Sequence, residues 1–566
     1  MIRNFFTLLS LSLILMTLPH ETDACTNILI TKGASTDGST FVSYAADSHD
    51  LFGELYDFPA KTYPPGTMLD IYEWDTGKYL GKIPQVTQTY KVIGNMNEHQ
   101  LTIGETTYGG RDELVDTTGI IDYGSLIYIA LQRSKNAREA IKVMTDLVAE
   151  YGYCSSGESF SIVDPNEVWI MEMIGKGTDL KTDKKTNKQY NANKGAVWVA
   201  VKIPDGYVSA HANQARIHKF PLNDKENVLY SADVISFAKS KGYFTGNDAD
   251  FSFCDAYAPL DFGALRACEA RVWSAFRIMN PEMEKYLPFI LGESSEKMPL
   301  YILPTKKISA ADVKEIMRDV FQGTPLCMVQ DDDPGAGPFR KPYRFRPMYF
   351  EVDGIKYFNE RAIATQQTGF SFVAQMRGWL PNPIGGVFWF GVDDANMSVY
   401  VPIYIGINEI PHNFAVGNGN LLEFTWNSSF WVFNWVANQA YHRYNQMIVD
   451  IRKTQKELEN KFDLYLPLID QAALTLYKEN PSLAKDFLTE YSHTQSRITH
   501  ERWKKLGEFL FVKYLDGNLH EEVNGVFLRN PYGNPYRAKF PGYNEEYYRQ
   551  IGEKTGDRLK VKEINN

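Results

Sequence analysis

The sequence predicts an α+β fold, a layered core of strands and helices followed by a mainly helical C-terminal region. Three observations predict it. Apolar and polar residues alternate from Thr26 to Ile30, and Thr40–Tyr44 resumes as a second strand after a turn of Gly, Ser and Asp, as in a hairpin. A helical stretch over 123–151, with Ile141, Met144, Leu147, Val148 and Tyr151 at i, i+3, i+4 spacing, separates this hairpin from further strands. From about Phe430 the texture changes to successive helical segments with few β-branched runs.

Each element has a local reason. Val92–Gly94 and Leu101–Ile103 read as strands flanking the turn Met96-Asn97-Glu98-His99, while 51–90, rich in Pro, Gly and Tyr, reads as irregular with short strands. Gly152 can terminate the 123–151 helix. Phe160–Val163 and Val168–Met171 flank the turn Asp164-Pro165-Asn166, and Ala196–Val201 is a third strand beyond a Lys- and Asn-rich loop at 176–194. A helix over 263–279 ends at Asn280-Pro281, and strands return at Phe370–Gln375 and Val387–Phe390. Helices follow over 430–457, 459–479 and 481–516, and the Pro-, Gly- and Tyr-rich tail from Asn530 is read as lying against the surface. The cluster Phe430–Trp435 reads as packing.

The N-terminus reads as a secretory leader. Arg3 precedes an apolar run from Phe5 to Leu18, and Thr22 and Ala24 occupy the −3 and −1 places of a small-residue cleavage site. Cleavage after Ala24 makes Cys25 the first residue of the mature chain, at the head of a strand. Such a cysteine combines a nucleophilic thiol with a free α-amine of pKa about 8 that can take its proton. Locked in a peptide bond, the same nitrogen has no basic lone pair, so cleavage is the switch. Three plainer readings stand beside this one: a lipidated cysteine, a disulfide partner, or an inert buried thiol. Thr22-Asp23 in place of a Leu-like residue at −3 weighs against lipidation.

Composition bounds the function. The chain has 566 residues, 44% of them hydrophobic, enough apolar mass for a large core. Its net charge of −10 without a basic block argues against a nucleic-acid partner. The one long apolar run is the leader, so no membrane-spanning segment is expected after export. Apart from Cys25, Cys154, Cys254, Cys268 and Cys327 allow three disulfide pairings or none, and their spacing is no zinc signature. No phosphate loop or dinucleotide fingerprint is present, and no cofactor or metal is expected.

Several strings, in order and spacing, resemble the secreted dipeptidases among the N-terminal nucleophile (Ntn) hydrolases, relatives of bile-salt (choloylglycine) hydrolase and penicillin V acylase. They are Cys25-Thr26-Asn27-Ile28-Leu29, Asp37-Gly38-Ser39-Thr40, Gly94-Asn95-Met96-Asn97-Glu98, the run Tyr151–Phe160, Asp164-Pro165-Asn166-Glu167-Val168-Trp169 and Met171–Gly175. Ala212-Asn213-Gln214-Ala215-Arg216-Ile217, Cys268-Glu269-Ala270-Arg271-Val272-Trp273 and Gly337-Pro338-Phe339 follow. The likeness runs from Cys25 to about Pro402.

The resemblance implies an αββα sandwich with the nucleophile at the start of a central strand, dipeptide hydrolysis through an acyl-enzyme, and no metal. It places Asp47 at the nucleophile's amino group, where nearby positive charge must balance the carboxylate. It places Asn97 and Asn213 at the oxyanion and Arg271 near the thiol, where a cation favours thiolate. Taken singly, Asn97 is at home in a turn, Asn213 at a strand end, Arg271 as an ion-paired helix residue and Asp47 as a cap. Their order after Cys25 favours the catalytic reading. One departure stands out: related chains carry Arg-Asn three residues before the matching Asp, where this chain has Tyr44-Ala45.

His49, His99 and His211 read as structural. Glu98, Glu105, Glu158 and Glu172 could supply a carboxylate pair, and Glu172 alone reads as a paired acid at the core's edge. The expected organisation is a leader over 1–24, a hydrolase core over 25–425 and a helical region over 426–566 packed on it. The expected function is a secreted or periplasmic cysteine-type dipeptidase acting on dipeptides or short peptides, exposed at Cys25 by signal peptidase or by autoprocessing. An amidase of the same fold acting on bile-salt or penicillin-like amides, and a lipid-anchored peptide-binding protein, remain open, as does a homo-oligomer.

Overall fold

The computed structural model describes residues 25–329 and 337–562; the expected leader, residues 1–24, lies outside the described residues. Two antiparallel sheets form the core. The first has seven strands in the order Tyr301–Ile302, Val208–His211, Thr26–Ile30, Thr40–Asp47, Thr368–Met376, Gly386–Val392 and Val401–Tyr404. The second has eight, in the order Val228–Tyr230, Ala196–Lys202, Val168–Gly175, Gly157–Val163, Thr102–Gly109, Met96–Asn97, Val92–Ile93 and Asp57–Phe58.

The two sheets meet where Thr26–Ile30 and Thr40–Asp47 pack against Thr102–Gly109 and Gly157–Val163. The outer face of the eight-stranded sheet is covered by helices Tyr123–Arg133 and Ala137–Tyr151. Their Leu126, Ala130, Ile141 and Met144 pack with Ile103, Phe160, Ile162 and Met171. Against the seven-stranded sheet lie helices Ala270–Met279, Ala310–Met317, Ser429–Tyr441, Tyr444–Glu479 and Pro481–Lys513.

Thr26–Ile30 alternates like a half-buried strand, yet all five residues are buried. The reason is its position: it is paired on both edges, to Val208–His211 and to Thr40–Asp47, and covered on both faces. Its polar side chains therefore bond internally. In the orientation that satisfies its neighbours, the Asn27 amide pairs with the N–H and C=O of Glu105 and accepts from Ser161 Oγ. It thereby fastens the first strand to the facing sheet.

The helix expected over 123–151 is two. The first ends at Arg133, and Asn136 caps the second by accepting from Glu139 N at 3.0 Å. Gly152, at φ +79°, closes it. The helix expected over 263–279 contains a π-helical turn at Leu265–Glu269 before Ala270–Met279. The break expected near residue 458 lies instead at His442–Arg443, and Tyr444–Glu479 runs on through Pro467. The region 51–90 forms short hairpins such as Met68–Tyr72 with Tyr79–Pro84, and the tail includes a helix at Glu545–Thr555.

Val432, Phe433, Val436, Leu458, Phe462, Leu488, Trp503 and Leu510 from the last three long helices belong to the same apolar cluster as the strands of the seven-stranded sheet. Buried ion pairs tie the two regions together, Arg318 with Glu459 and Arg377 with Asp470. No described helix is long and apolar enough to cross a membrane.

Candidate active site

Cys25 stands immediately before the Thr26–Ile30 strand with 6% of its surface exposed. Register pairs Thr26 with Ala45, which brings Tyr44 alongside the thiol. Cys25 Sγ lies 3.5 Å from the Tyr44 hydroxyl and 3.6 Å from Glu105 Oε1, and the hydroxyl donates to that same oxygen at 2.6 Å. The residue that replaces the expected arginine thus touches the candidate nucleophile. Glu105 is held by the Asn27 amide described above. Glu158, on the neighbouring strand, accepts from Thr107 Oγ1 at 2.6 Å and lies within hydrogen-bonding reach of Glu105.

The electrostatics of this cluster run against a resting thiolate. Burial, then the charges of Glu105 and Asp47, push the Cys25 thiol above its ordinary range; hydrogen bonds from Tyr44 and the Asp47 backbone oppose this. Burial pushes Glu105 up to about 7, and burial with the neighbouring Glu105 charge pushes Glu158 up as well. The two titrate as a pair, each held toward its protonated form by burial.

Asp47 sits at a register shift in its pairing with Thr368–Met376. Arg361 Nη2 donates to its Oδ2 at 2.7 Å, Thr368 Oγ1 to its Oδ1 at 2.6 Å, and Gln367 Nε2 to its carbonyl at 3.0 Å. The positive charge that a carboxylate here requires is supplied by Arg361, a residue without any signal in the sequence. Arg271 is fully buried and lies one helical turn after the π-helical residue Ala267, whose carbonyl accepts from its Nε. Its Nη1 donates to the Cys25 carbonyl at 2.6 Å and Thr26 Oγ1 at 2.7 Å, and its Nη2 to Asn213 Oδ1 at 2.9 Å. Its guanidinium binds the nucleophile's backbone and its charge attracts a Cys25 thiolate, while the charges of Glu105 and Asp47 act against that thiolate.

Asn213 follows the strand Val208–His211 in a left-handed conformation, φ +55°, and donates to the Thr107 carbonyl at 2.7 Å. Its loop is anchored by Glu172, which accepts from the backbone N–H groups of Arg216 and Ile217, and by the buried Arg216–Glu269 pair at 2.9 Å. Glu172 is accordingly a buried core acid, pushed up to about 8 by burial, and not one at the core's edge.

Asn97 departs from its expected place at the oxyanion. Its Nδ2 donates to the carbonyls of Leu131 and Ser134, at 2.8 and 2.7 Å, and its Oδ1 accepts from the backbone of His99 and Leu101. Both N–H groups hold the end of the Tyr123–Arg133 helix while the oxygen closes the turn, so no N–H remains for an oxyanion. His211 is structural as expected, bonded to Thr106 Oγ1 at 2.8 Å and Ser161 Oγ at 2.7 Å and held neutral by burial.

A cavity of about 550 Å³ opens beside this cluster. Thr107, Asn213, Arg271 and Arg361 contribute to its wall, and Ala267, Cys268, Tyr349 and Phe358 are also in the lining. It combines apolar surface with several cationic and amide groups, as a site for a small polar ligand requires. All five cysteines are free thiols. Away from the cavity, His218, Cys254 and Asp255 bring ligand-type atoms within 4.8 Å of one another, but Lys297 pairs with Asp255 and so neutralises it without a metal.

The family model of Peptidase family C69 matches residues 24–457, well over half the chain, and the protein belongs to that family. Its relatives include a probable dipeptidase of Salmonella dublin, 24% identical over 406 residues, covering 68% of this chain and 81% of the relative. A probable dipeptidase of Latilactobacillus sakei is 24% identical, covering 84% and 92%, and probable dipeptidase A of Streptococcus pyogenes serotype M3 is 23% identical, covering 80% and 90%. The comparisons thus support a peptidase.

Proposed function

We propose that this protein is an exported cysteine-type dipeptidase of the Ntn-hydrolase class, an αββα sandwich whose nucleophile is Cys25, exposed by cleavage after Ala24. The observation that carries the reading is the convergence at Cys25 itself. The thiol meets Tyr44 and Glu105, its carbonyl is held by Arg271, and Arg271 and Asn213 lead into the cavity.

In this mechanism the freed α-amine takes the thiol's proton as sulfur attacks the dipeptide carbonyl, and returns it to the leaving amine. In this reading the Asn213 side-chain amide, part of the cavity wall, faces the developing oxyanion, and Asn97, engaged with Leu131 and Ser134, does not. Arg271 fixes the position of the Cys25 backbone, and Asp47, neutralised by Arg361, sets the field at the amine. Water then releases the first amino acid from the thioester.

The test begins with the N-terminus and mass of the protein exported by its host, followed by hydrolysis assays of dipeptides against conjugated bile acids and penicillin-like amides. An unmodified Cys25 terminus and dipeptide cleavage that falls by at least about 10³-fold in Cys25→Ala are expected. Lipid on Cys25, a terminus elsewhere, or full activity in Cys25→Ala refutes the reading; preference for the other amides replaces the substrate class.

A further inference from the structure

Buried acids near the site generally face a cation or backbone N–H groups: Asp47 has Arg361, Glu269 has Arg216, and Glu172 has two backbone donors. Glu105 and Glu158 differ. They are 3% and 0% exposed, and among the described residues neither forms an ion pair. The Oε2 atoms of both are buried and accept no hydrogen bond from an N–H or O–H group. The two carboxyls lie within hydrogen-bonding reach of each other, and burial favours the protonated form of both. A cation carrying several N–H donors would satisfy both carboxyls at once.

The position of the pair identifies the cation. Glu105 Oε1 is 3.6 Å from Cys25 Sγ. In the thioester formed from a dipeptide, the α-nitrogen is three bonds from sulfur, roughly 3–4 Å away by ordinary bond geometry. A nitrogen at that distance from Sγ, on the side where Glu105 lies, comes within hydrogen-bonding range of its carboxylate. Asp75, exposed and hydrogen-bonded by Tyr123 at 2.8 Å, adds negative charge felt by Glu105 from the surface side.

We propose that Glu105 and Glu158 form the subsite for the free α-ammonium group of the substrate, so that an unblocked amino terminus is the feature this site selects. The inference rests on the dipeptidase reading of the same site and adds to it the group that is recognised. It also separates dipeptides from amides with apolar acyl groups, which would leave the two carboxyls buried and unpartnered. The other ammonium that could reach the pair is that of Cys25 itself, also three bonds from Sγ, and the experiment distinguishes the two.

The mature full-length protein is assayed with Ala-Ala and with N-acetyl-Ala-Ala. The expected preference for the unblocked peptide is at least about 100-fold in kcat/KM, because a site built for polar partners rejects an analogue that lacks them. Glu158→Gln, which does not touch the thiol, is expected to reduce this preference at least about tenfold. The reduction is expected through KM for Ala-Ala, with the slow rate on the acetylated peptide little changed. Equal turnover of both peptides by the unaltered protein overturns the proposal. So does a Glu158→Gln variant that loses the same factor on both, which is the result if the pair serves the Cys25 amine. Calorimetry with the Cys25→Ala chain lacking residues 1–24 gives a reading independent of turnover: Ala-Ala must bind and the acetylated peptide must not, and equal binding overturns the subsite. Binding selectivity without hydrolysis by the unaltered protein would refute the dipeptidase reading and leave the subsite standing.

Discussion

The Tyr44 hydroxyl donates to Glu105 Oε1 at 2.6 Å, and both groups sit against the Cys25 thiol. The hydroxyl is a neutral donor between the thiol and the carboxylate. Its hydrogen bond lowers the proton affinity of both Cys25 and Glu105 and partly offsets burial.

Tyr44→Phe removes that hydrogen bond while keeping the ring, which packs against Phe370 and Phe372. The thiol is then harder to ionise. Alkylation of Cys25 by iodoacetamide, followed by peptide mass mapping across pH, is expected to show its midpoint moved upward. An unchanged or lower midpoint would mean that the hydroxyl does not act on the thiol.

Asp47 and Arg361 form a buried pair, 1% and 5% exposed. Asp47→Asn leaves the guanidinium buried without its carboxylate, a change that costs about 3–5 kcal/mol. The double variant Asp47→Asn/Arg361→Met is expected to recover part of that loss. Urea denaturation of the single and double variants checks this, and strictly additive losses would show that the pair is uncoupled.

His211 is buried in a network of neutral partners, and its folded-state pKa falls to about 3 against an ordinary 6.5. The sign is therefore fixed: above about pH 6.5 the imidazole is neutral in both states and pH has no effect through it. Below that, the unfolded chain takes up a proton that the folded one refuses, so stability falls toward pH 3, by about 1.4 kcal/mol per pH unit from this group. His211→Gln is expected to be less stable at pH 7 but to lose stability less steeply between pH 6 and 4. Parallel slopes in the two proteins would contradict the assignment.

Ending the chain after residue 425 strips the helices from the outer face of the seven-stranded sheet and leaves Arg318 and Arg377 buried without Glu459 and Asp470. That chain is expected to be insoluble. Ending it after residue 517 removes mainly exposed residues and is expected to leave a folded protein with a slightly lower Tm. Gel filtration and thermal melts of both truncations decide, and a soluble, cooperative 25–425 fragment would show that the helices are dispensable.

Much of the fold is legible in local patterns. Strand alternation, the Asp164-Pro165-Asn166 turn, the cap at Gly152 and the apolar spacing of 123–151 act over a few residues, so a short window contains their cause. Errors fall where the cause is distant. The continuity of Tyr444–Glu479 depends on packing along the whole apolar face, which outweighs Pro467. Thr26–Ile30 alternates like a surface strand and is buried because four other elements surround it.

The site divides in the same way. From the sequence alone come Cys25 at the head of a strand, the order of Asp47, Asn213 and Arg271 behind it, and the unusual Tyr44. Those are properties of position along a chain. That Glu105 and Glu158 lie together beside the thiol, that Arg361 neutralises Asp47, that Arg271 binds the Cys25 carbonyl and that Asn97 closes a turn were decided only by the tertiary structure. Hydrogen bonds and ion pairs act over about 3–4 Å in space, and the residues they join here lie tens to hundreds of positions apart in the chain.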